Sequence, residues 1–413
     1  MAKDMLLMMK DTPVMRINFD EGKYEVLSEK LLPFEMQKRL RPPLPEKETY
    51  SKYELTQANI IARKNESAIV NFLAHRTLPI TRANAKKIYD LFGFEQLQDE
   101  YSKAKIALVC RAVSLQDNYW VKVDGDEKKW EDVNLRTNSL SEVVAQVALH
   151  GSSLTITGIP TTPELTCLGA YAKAWIREEG GLYLHKLGAP TSDVNIDNGE
   201  PKTGTWESKV EVMVSNILDA CNVNHLKYEA GSTTNPRTKE SFYTCKCKCM
   251  TTEDIAMLSG MEFTSWCIAN EEDAYKKALE IDAESIYKMW IVDYLISNRD
   301  RHGQNWGFFY NCNTMEILGC HPLYDHNNAF DIETMADKDR PYLYDNKMTM
   351  KQAALKAASL VDFHFTRELT REDFLTERQY RSFSERAKEL GIKVVSKEAE
   401  KSDVCAEIEL EHP

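Results

Sequence analysis

A carboxylate, an amide five residues on and a second carboxylate twenty residues beyond that stand out in this 413-residue chain. They are Asp300 and Asn305, in Ser297-Asn298-Arg299-Asp300-Arg301-His302-Gly303-Gln304-Asn305, and Asp325, in Pro322-Leu323-Tyr324-Asp325-His326. Phosphoryl transfer needs such a set: one group orients the attacking hydroxyl and two hold magnesium against nucleotide phosphates. The amide suits a magnesium position, because Mg²⁺ takes hard oxygen ligands and a neutral oxygen brings no third negative charge beside ATP. An Asp-Asn pair alone most often caps a turn. Here an apolar run precedes the pair and the strand-like Trp306-Gly307-Phe308-Phe309-Tyr310 follows it, which favours a nucleotide site.

Composition narrows the classes. A hydrophobic fraction of 43% and a charged fraction of 28% describe an ordinary globular chain, long enough for two or three domains. A net charge of −12 argues against coating nucleic acid or anionic membrane over the whole surface, while a local basic patch stays open. No stretch approaches the roughly 20 apolar residues of a membrane span. The first ten residues have too short an apolar centre for a secretory signal. The expectation is a cytoplasmic protein with no membrane role and with its cysteines reduced. Cys245-Lys246-Cys247-Lys248-Cys249 lacks the paired spacing or the histidines of zinc sites. A strand with its cysteines toward the core and its lysines opposite is the stronger reading.

The elements that must position the acidic residues follow from periodicity and punctuation. Residues 1–150 read as a mixed region of their own, opened by Pro42-Pro43-Leu44-Pro45, with a helical pair near 65–93. Its first helix carries Ile69, Phe72 and Leu73, and Thr81 can cap a second that carries Ala85, Ile88, Leu91 and Phe92. Arg76, Arg82, Lys86 and Lys87 make the pair locally basic, so a DNA-binding helix-turn-helix is one reading. A helical hairpin with a solvated charged face is the plainer one and is favoured. Tyr119 to Val123 reads as a strand, followed by a turn at Asp124-Gly125-Asp126.

From Gly151 the texture changes to short strands and turns. Ala174 to Arg177 and Leu182 to Leu187 form a hairpin about Glu178-Glu179-Gly180-Gly181. A polar loop with Asn198, Gly199, Pro201 and Gly204 leads to a helix over Val210 to Leu218. Another strand holds Ser241 to Cys245, and a buried helix from Ile281 to Ile296 runs into the Asp300 segment. Further amphipathic helices precede a charged tail over 397–413. This is the order of a two-lobed kinase, an α+β fold. Residues 151–250 would form a strand-rich N-lobe and 251–396 a mainly helical C-lobe, with the amino-terminal region added. Such a fold requires a lysine on a hairpin strand and a helix glutamate to position it. Lys186 and Glu211 fall there, with Glu207 as the alternative glutamate.

Over roughly residues 164–330 the chain resembles the HipA-like serine/threonine kinases of bacteria, whose fold is related to the phosphatidylinositol kinases. Asn298-Arg299-Asp300-Arg301-His302-Gly303-Gln304-Asn305 fits their N-x-D-x-H-x-x-N catalytic loop, and Tyr324-Asp325 is similar to their metal-binding Tyr-Asp. Leu165 to Trp175 resembles their nucleotide loop, with Gly169-Ala170 followed by Lys173. The resemblance implies an ATP- and Mg²⁺-dependent kinase with Asp300 as catalytic base and His302 beside it. Asn305 and Asp325 would be magnesium ligands, and Lys186, set by Glu211, would hold the α- and β-phosphates. Gly169, Ala170, Tyr171, Ala172 and Lys173 would lie over the phosphates, with Cys247 and Cys249 near the adenine and Tyr324 alongside.

It further implies a toxin-antitoxin role, with a small antitoxin-like or DNA-binding partner. A kinase for a lipid or small-molecule hydroxyl, and a non-catalytic nucleotide-sensing or DNA-binding regulator, are the alternatives. Thr161, Thr162 and Thr166 flank the loop, where self-phosphorylation would compete with nucleotide.

Overall fold

The computed structural model describes residues 4–18, 23–40, 49, 51–94, 99–157, 161–188, 193–194, 201–202, 206–330 and 348–394. Pro42 to Pro45, the loop residues Asn198, Gly199 and Gly204, and the tail from 397 lie outside them. Four antiparallel strands open the fold: β1 (Met5–Met9), β2 (Thr12–Asn18), β3 (Lys23–Val26) and β4 (Tyr119–Val123), in the order β3-β2-β1-β4. Between β3 and β4 run α1 (Lys52–Ala74), α2 (Ala85–Leu91) and α3 (Glu100–Val109), and α4 (Trp130–Val133) and α5 (Glu142–His150) follow β4. A capping box between Ser51 and Glu54 starts α1 and satisfies two of its orphan amides.

The second helix of the pair starts differently from the expectation. Its cap position is Asn84 in the left-handed region (φ 64°), not Thr81. The Asn84 amide donates to the Ala148 and Leu149 carbonyls (3.1 and 3.3 Å), so the turn is set by docking onto the end of α5. The basic residues of the pair divide between a solvated face and the interior. Arg76 is buried and donates to both oxygens of Asp117 (2.7 and 2.8 Å) and to the Ala112 carbonyl (2.7 Å). Arg82 is buried too, and Lys87 donates to the Gly151 carbonyl at 2.5 Å. Lys86 stays in solvent, paired with Asp90 one turn away, and Lys87 is exposed as well. Arg76 and Arg82, whose lost solvation is made good by carbonyls and one carboxylate, are withdrawn from any basic surface.

The next sheet has the order β5-β6-β10-β9 and is antiparallel, made of β5 (Lys173–Glu178), β6 (Gly181–Lys186), β9 (Tyr228–Thr234) and β10 (Ser241–Lys248). A two-strand pair, β7 (Asp193–Val194) and β8 (Pro201–Lys202), precedes α6 (Trp206–Leu218), which packs on β9 and β10. In β10, Cys245 and Cys247 are buried and Lys248 is exposed, the alternation expected of a half-buried strand.

Beyond it come β11 (Ile255–Ser259), α7 (Gly260–Ala269), α8 (Ala274–Leu295), β12 (Gly307–Asn311) and β13 (Ile317–Cys320), with β11-β12-β13 a third antiparallel sheet. The chain ends in α9 (Met350–Ala358), β14 (His364–Phe365), α10 (Glu377–Glu389) and β15 (Lys393–Val394), the last strand parallel to β14. The α8 helix breaks at Asp282 (φ −158°), whose carboxylate accepts from Ser285 N–H (3.1 Å) and restarts it. The fold is α+β, as expected.

One core runs from Leu7 and Met15 of the first sheet and Phe72 of α1 to Phe263, Trp290 and Trp306 of the helical part. A second joins Ile88 of α2 and Val147 of α5 to Leu165 and Ala174 at the root of β5. The first 150 residues therefore pack against both flanks of the cleft, where burial at about 25 cal/mol per Å² holds them. No helix among the described residues is long and apolar enough to cross a membrane.

Candidate active site

Lys186 ends β6, where the strand alternation turns its side chain under the sheet beside β10. Its side chain is 4% exposed, and its ammonium lies 2.9 Å from Glu211 Oε2 and 2.5 Å from Asp325 Oδ1. The Tyr228 ring lies beneath it, 5.4 Å from nitrogen to centroid. Burial alone would lower the lysine, but the two carboxylates drive it well above its ordinary value. Glu211 sits on the α6 face that packs on this sheet, is fully buried, and accepts from the His326 backbone N–H (2.7 Å). Glu211, rather than Glu207, meets Lys186. Burial would raise the Asp325 carboxyl, yet Lys186 and Lys173 hold it well below the usual carboxylate range. Asp325 takes a left-handed backbone (φ 60°), a conformation aspartate tolerates better than most residues.

The Asp300 segment is anchored by groups the sequence reading passed over. Asp293, a lone acid in the apolar end of α8, is buried and accepts from Asn298 Nδ2 (3.0 Å) and Arg301 Nη2 (2.9 Å). Arg301 also donates to the Asn305 and Tyr324 carbonyls (2.7 and 2.8 Å). One buried guanidinium thus fixes the segment holding Asn305 against the segment holding Asp325. The acid among Trp290, Ile291, Val292 and Tyr294 was the available signal, since a buried carboxylate needs a partner. Asn305 donates from Nδ2 to the Asp300 carbonyl (2.8 Å), which leaves Oδ1 as the end open to a cation. His302 is half exposed, accepts from Gln304 N–H at Nδ1 (3.2 Å), and has Nε2 4.0 Å from Asp300. Tyr324 is half-buried and lines the cavity described below, its hydroxyl donating to the Gln304 carbonyl at 2.5 Å.

The loop from Cys167 to Lys173 crosses above these groups. Gly169 has φ 97°, a backbone that favours glycine, and a side chain there would displace the Lys173 ammonium. Lys173 is buried, donates to the Leu168 carbonyl (2.9 Å), and burial lowers its pKa. Arg82, from the amino-terminal region, donates to the Cys167 carbonyl (2.9 Å) and to that of Lys173, and Ala83 N–H donates to the Ala170 carbonyl (2.8 Å). The loop is pinned from outside the two lobes, which no local pattern announces. Thr162 and Thr166 flank it with buried hydroxyls, that of Thr166 donating to the Val113 carbonyl (2.9 Å).

Loop, lysine, acids and strand end face one cavity of about 350 Å³, within the range of small-molecule sites. Gly169, Lys186, Cys247, Asp300, Asn305 and Asp325 line it together, although they come from five separate stretches of chain. Cys249 lines it as well, with its backbone N–H donated to the Leu182 carbonyl (2.9 Å). Among the described residues no three His, Cys, Asp or Glu side chains gather as a metal cage. The donor set fits magnesium, which is held by one or two protein oxygens plus substrate phosphates rather than by a closed cage. The cation already on Asp325 Oδ1 is the Lys186 ammonium, so that oxygen is placed for positive charge.

No protein-family model matches the chain, and no curated protein does. Several solved structures are similar to it, two of them as follows. The Helicobacter pylori proinflammatory kinase CtkA is 16% identical, with a TM-score of 0.41 over 61% of this chain and 97% of that one. HipA of the Shewanella oneidensis MR-1 toxin-antitoxin system, in complex with HipB and operator DNA, is 11% identical, with a TM-score of 0.46 over 94% of this chain and 98% of that one.

Proposed function

We propose that this chain transfers the γ-phosphate of Mg-ATP to a serine or threonine hydroxyl of a protein. The observation that carries the reading is the Lys186 ammonium, within 3 Å of both Glu211 and Asp325, at the cavity that Asp325, Asp300 and Asn305 line. Asp300 would accept the hydrogen bond of the acceptor hydroxyl and align it with the γ-phosphorus. Lys186 would exchange part of its contact with Asp325 for the α- and β-phosphates, held in place by Glu211. Lys173 and the loop amides would face the remaining phosphate oxygens. Asn305 Oδ1 and Asp325 would hold magnesium, which when bound neutralises the phosphate charge that grows in a loose transition state. The strand end at Cys247 to Cys249 would border the adenine.

Radiolabel from γ-labelled ATP, transferred to lysate proteins and recovered as phosphoserine or phosphothreonine, tests the acceptor class. Label that enters phosphatidylinositol vesicles and no protein would contradict it.

A further inference from the structure

We propose that Tyr171 and Asn328 form a strap that positions the Asp300 carboxylate and couples it to the phosphate loop, an inference that rests on the kinase reading above. Asn328 lies three residues past Asp325, in His326-Asn327-Asn328. Its Nδ2 donates to Asp300 Oδ2 (2.8 Å), and its Oδ1 accepts from the Tyr171 hydroxyl (3.2 Å). The two bonds specify each other. A carboxylate only accepts, so it takes the NH₂ end of the amide, and the oxygen end must then face a donor.

Asp300 needs such a hold. Its side chain is 41% exposed, so packing alone does not select its rotamer. A neutral donor fixes one oxygen without neutralising the charge, and Oδ1, 4.0 Å from His302, stays open to an acceptor hydroxyl. Burial pushes the Tyr171 phenol up to about 12, so it remains a donor across the neutral range. Its backbone neighbour Ala170 is pinned by Ala83 N–H (2.8 Å), so the tyrosine reaches the base from a fixed point. The base is thereby referenced to the loop that would hold the phosphate it serves.

Steady-state Mg-ATP turnover of wild type, Tyr171→Phe, Asn328→Ala and the double variant tests the strap, with Mg-ATP affinity measured by equilibrium titration. We expect Asn328→Ala to lower kcat about 10–100-fold and Tyr171→Phe about 3–10-fold, with KM for ATP moved less than about 3-fold, because a misplaced base costs rate rather than binding. The double variant is no slower than Asn328→Ala, since the two residues act as one unit. An unchanged kcat in Asn328→Ala, or losses that multiply in the double variant, overturns the strap. Should Asn328→Ala melt below the assay temperature, Tyr171→Phe, which removes one oxygen, decides by the same split of kcat from KM. A wild type that binds Mg-ATP without turning it over overturns the kinase reading and the strap together. Turnover that survives both substitutions overturns the strap alone.

Discussion

Arg76 and Arg82 on one side, and Lys173 and Lys186 on the other, are all buried cations, and they do opposite work. Arg76 spends its donors on Asp117 and on the Ala112 and Tyr119 carbonyls, with its guanidinium over the Phe72 ring. Arg82 holds the carbonyls of Cys167 and Lys173. These are closed arrangements in which a planar fork meets fixed acceptors. Lys186 instead stands between a fully buried glutamate and an aspartate whose side chain is 23% exposed to the cavity. On the proposed function, one of its partners would be exchanged for a ligand. A buried arginine here keeps the scaffold in register, and a buried lysine would keep a place for phosphate.

The comparison is sharpest at Lys186 itself. Lys186→Met should lower the phosphotransfer rate about 10²–10³-fold, the usual cost of removing a preorganised charge from the reacting centre. It should also destabilise, since Glu211 is left buried without its cation. Adding Glu211→Gln should recover the melting temperature and leave the rate low. Recovery of both would mean that the lysine serves the fold alone. Arg76→Ala should cost about 3–5 kcal/mol in denaturant unfolding, because it strands Asp117 and two carbonyls. A loss under about 1 kcal/mol would break the scaffold assignment.

Arg82→Ala acts through the loop. It should weaken Mg-ATP binding about 10-fold by titration, equal to about 1.4 kcal/mol, while the fold persists. Unchanged affinity would mean that the loop holds its shape without the clamp. The smallest effect belongs to Lys86→Ala, which breaks only a solvated pair with Asp90 and should cost no more than about 0.5 kcal/mol. It should leave any retention on duplex DNA unchanged over a salt series. Retention that depends on Lys86 would restore the DNA reading of the helical pair.

The same contrast explains what was legible in the sequence. That Asp300, Asn305 and Asp325 would face one cavity was legible because they lie within one short segment and one tripeptide beyond it. Lys186 and Glu211 followed from strand alternation and helix order, since β6 and α6 form from local preferences. The roles of Arg82, Asp293 and Asn328 were not legible, because each acts on residues 5 to 91 positions away in the chain. The basic pair was read with a DNA-facing alternative because charge suggests solvent until a tertiary carbonyl claims it. The cap at Asn84 escaped for the same reason, its partners lying in α5. Packing of the first 150 residues on both flanks of the cleft was likewise outside the reach of periodicity.

Turnover of Mg-ATP with labelled γ-phosphate by wild type and by Asp300→Asn, each checked for an intact thermal transition and for nucleotide binding, tests the central claim most directly. The account predicts transfer by wild type, and a loss of about 10²-fold or more in the variant with nucleotide affinity kept. Equal transfer by the two proteins would contradict it, because the carboxylate at the centre of this cavity would then not be the base.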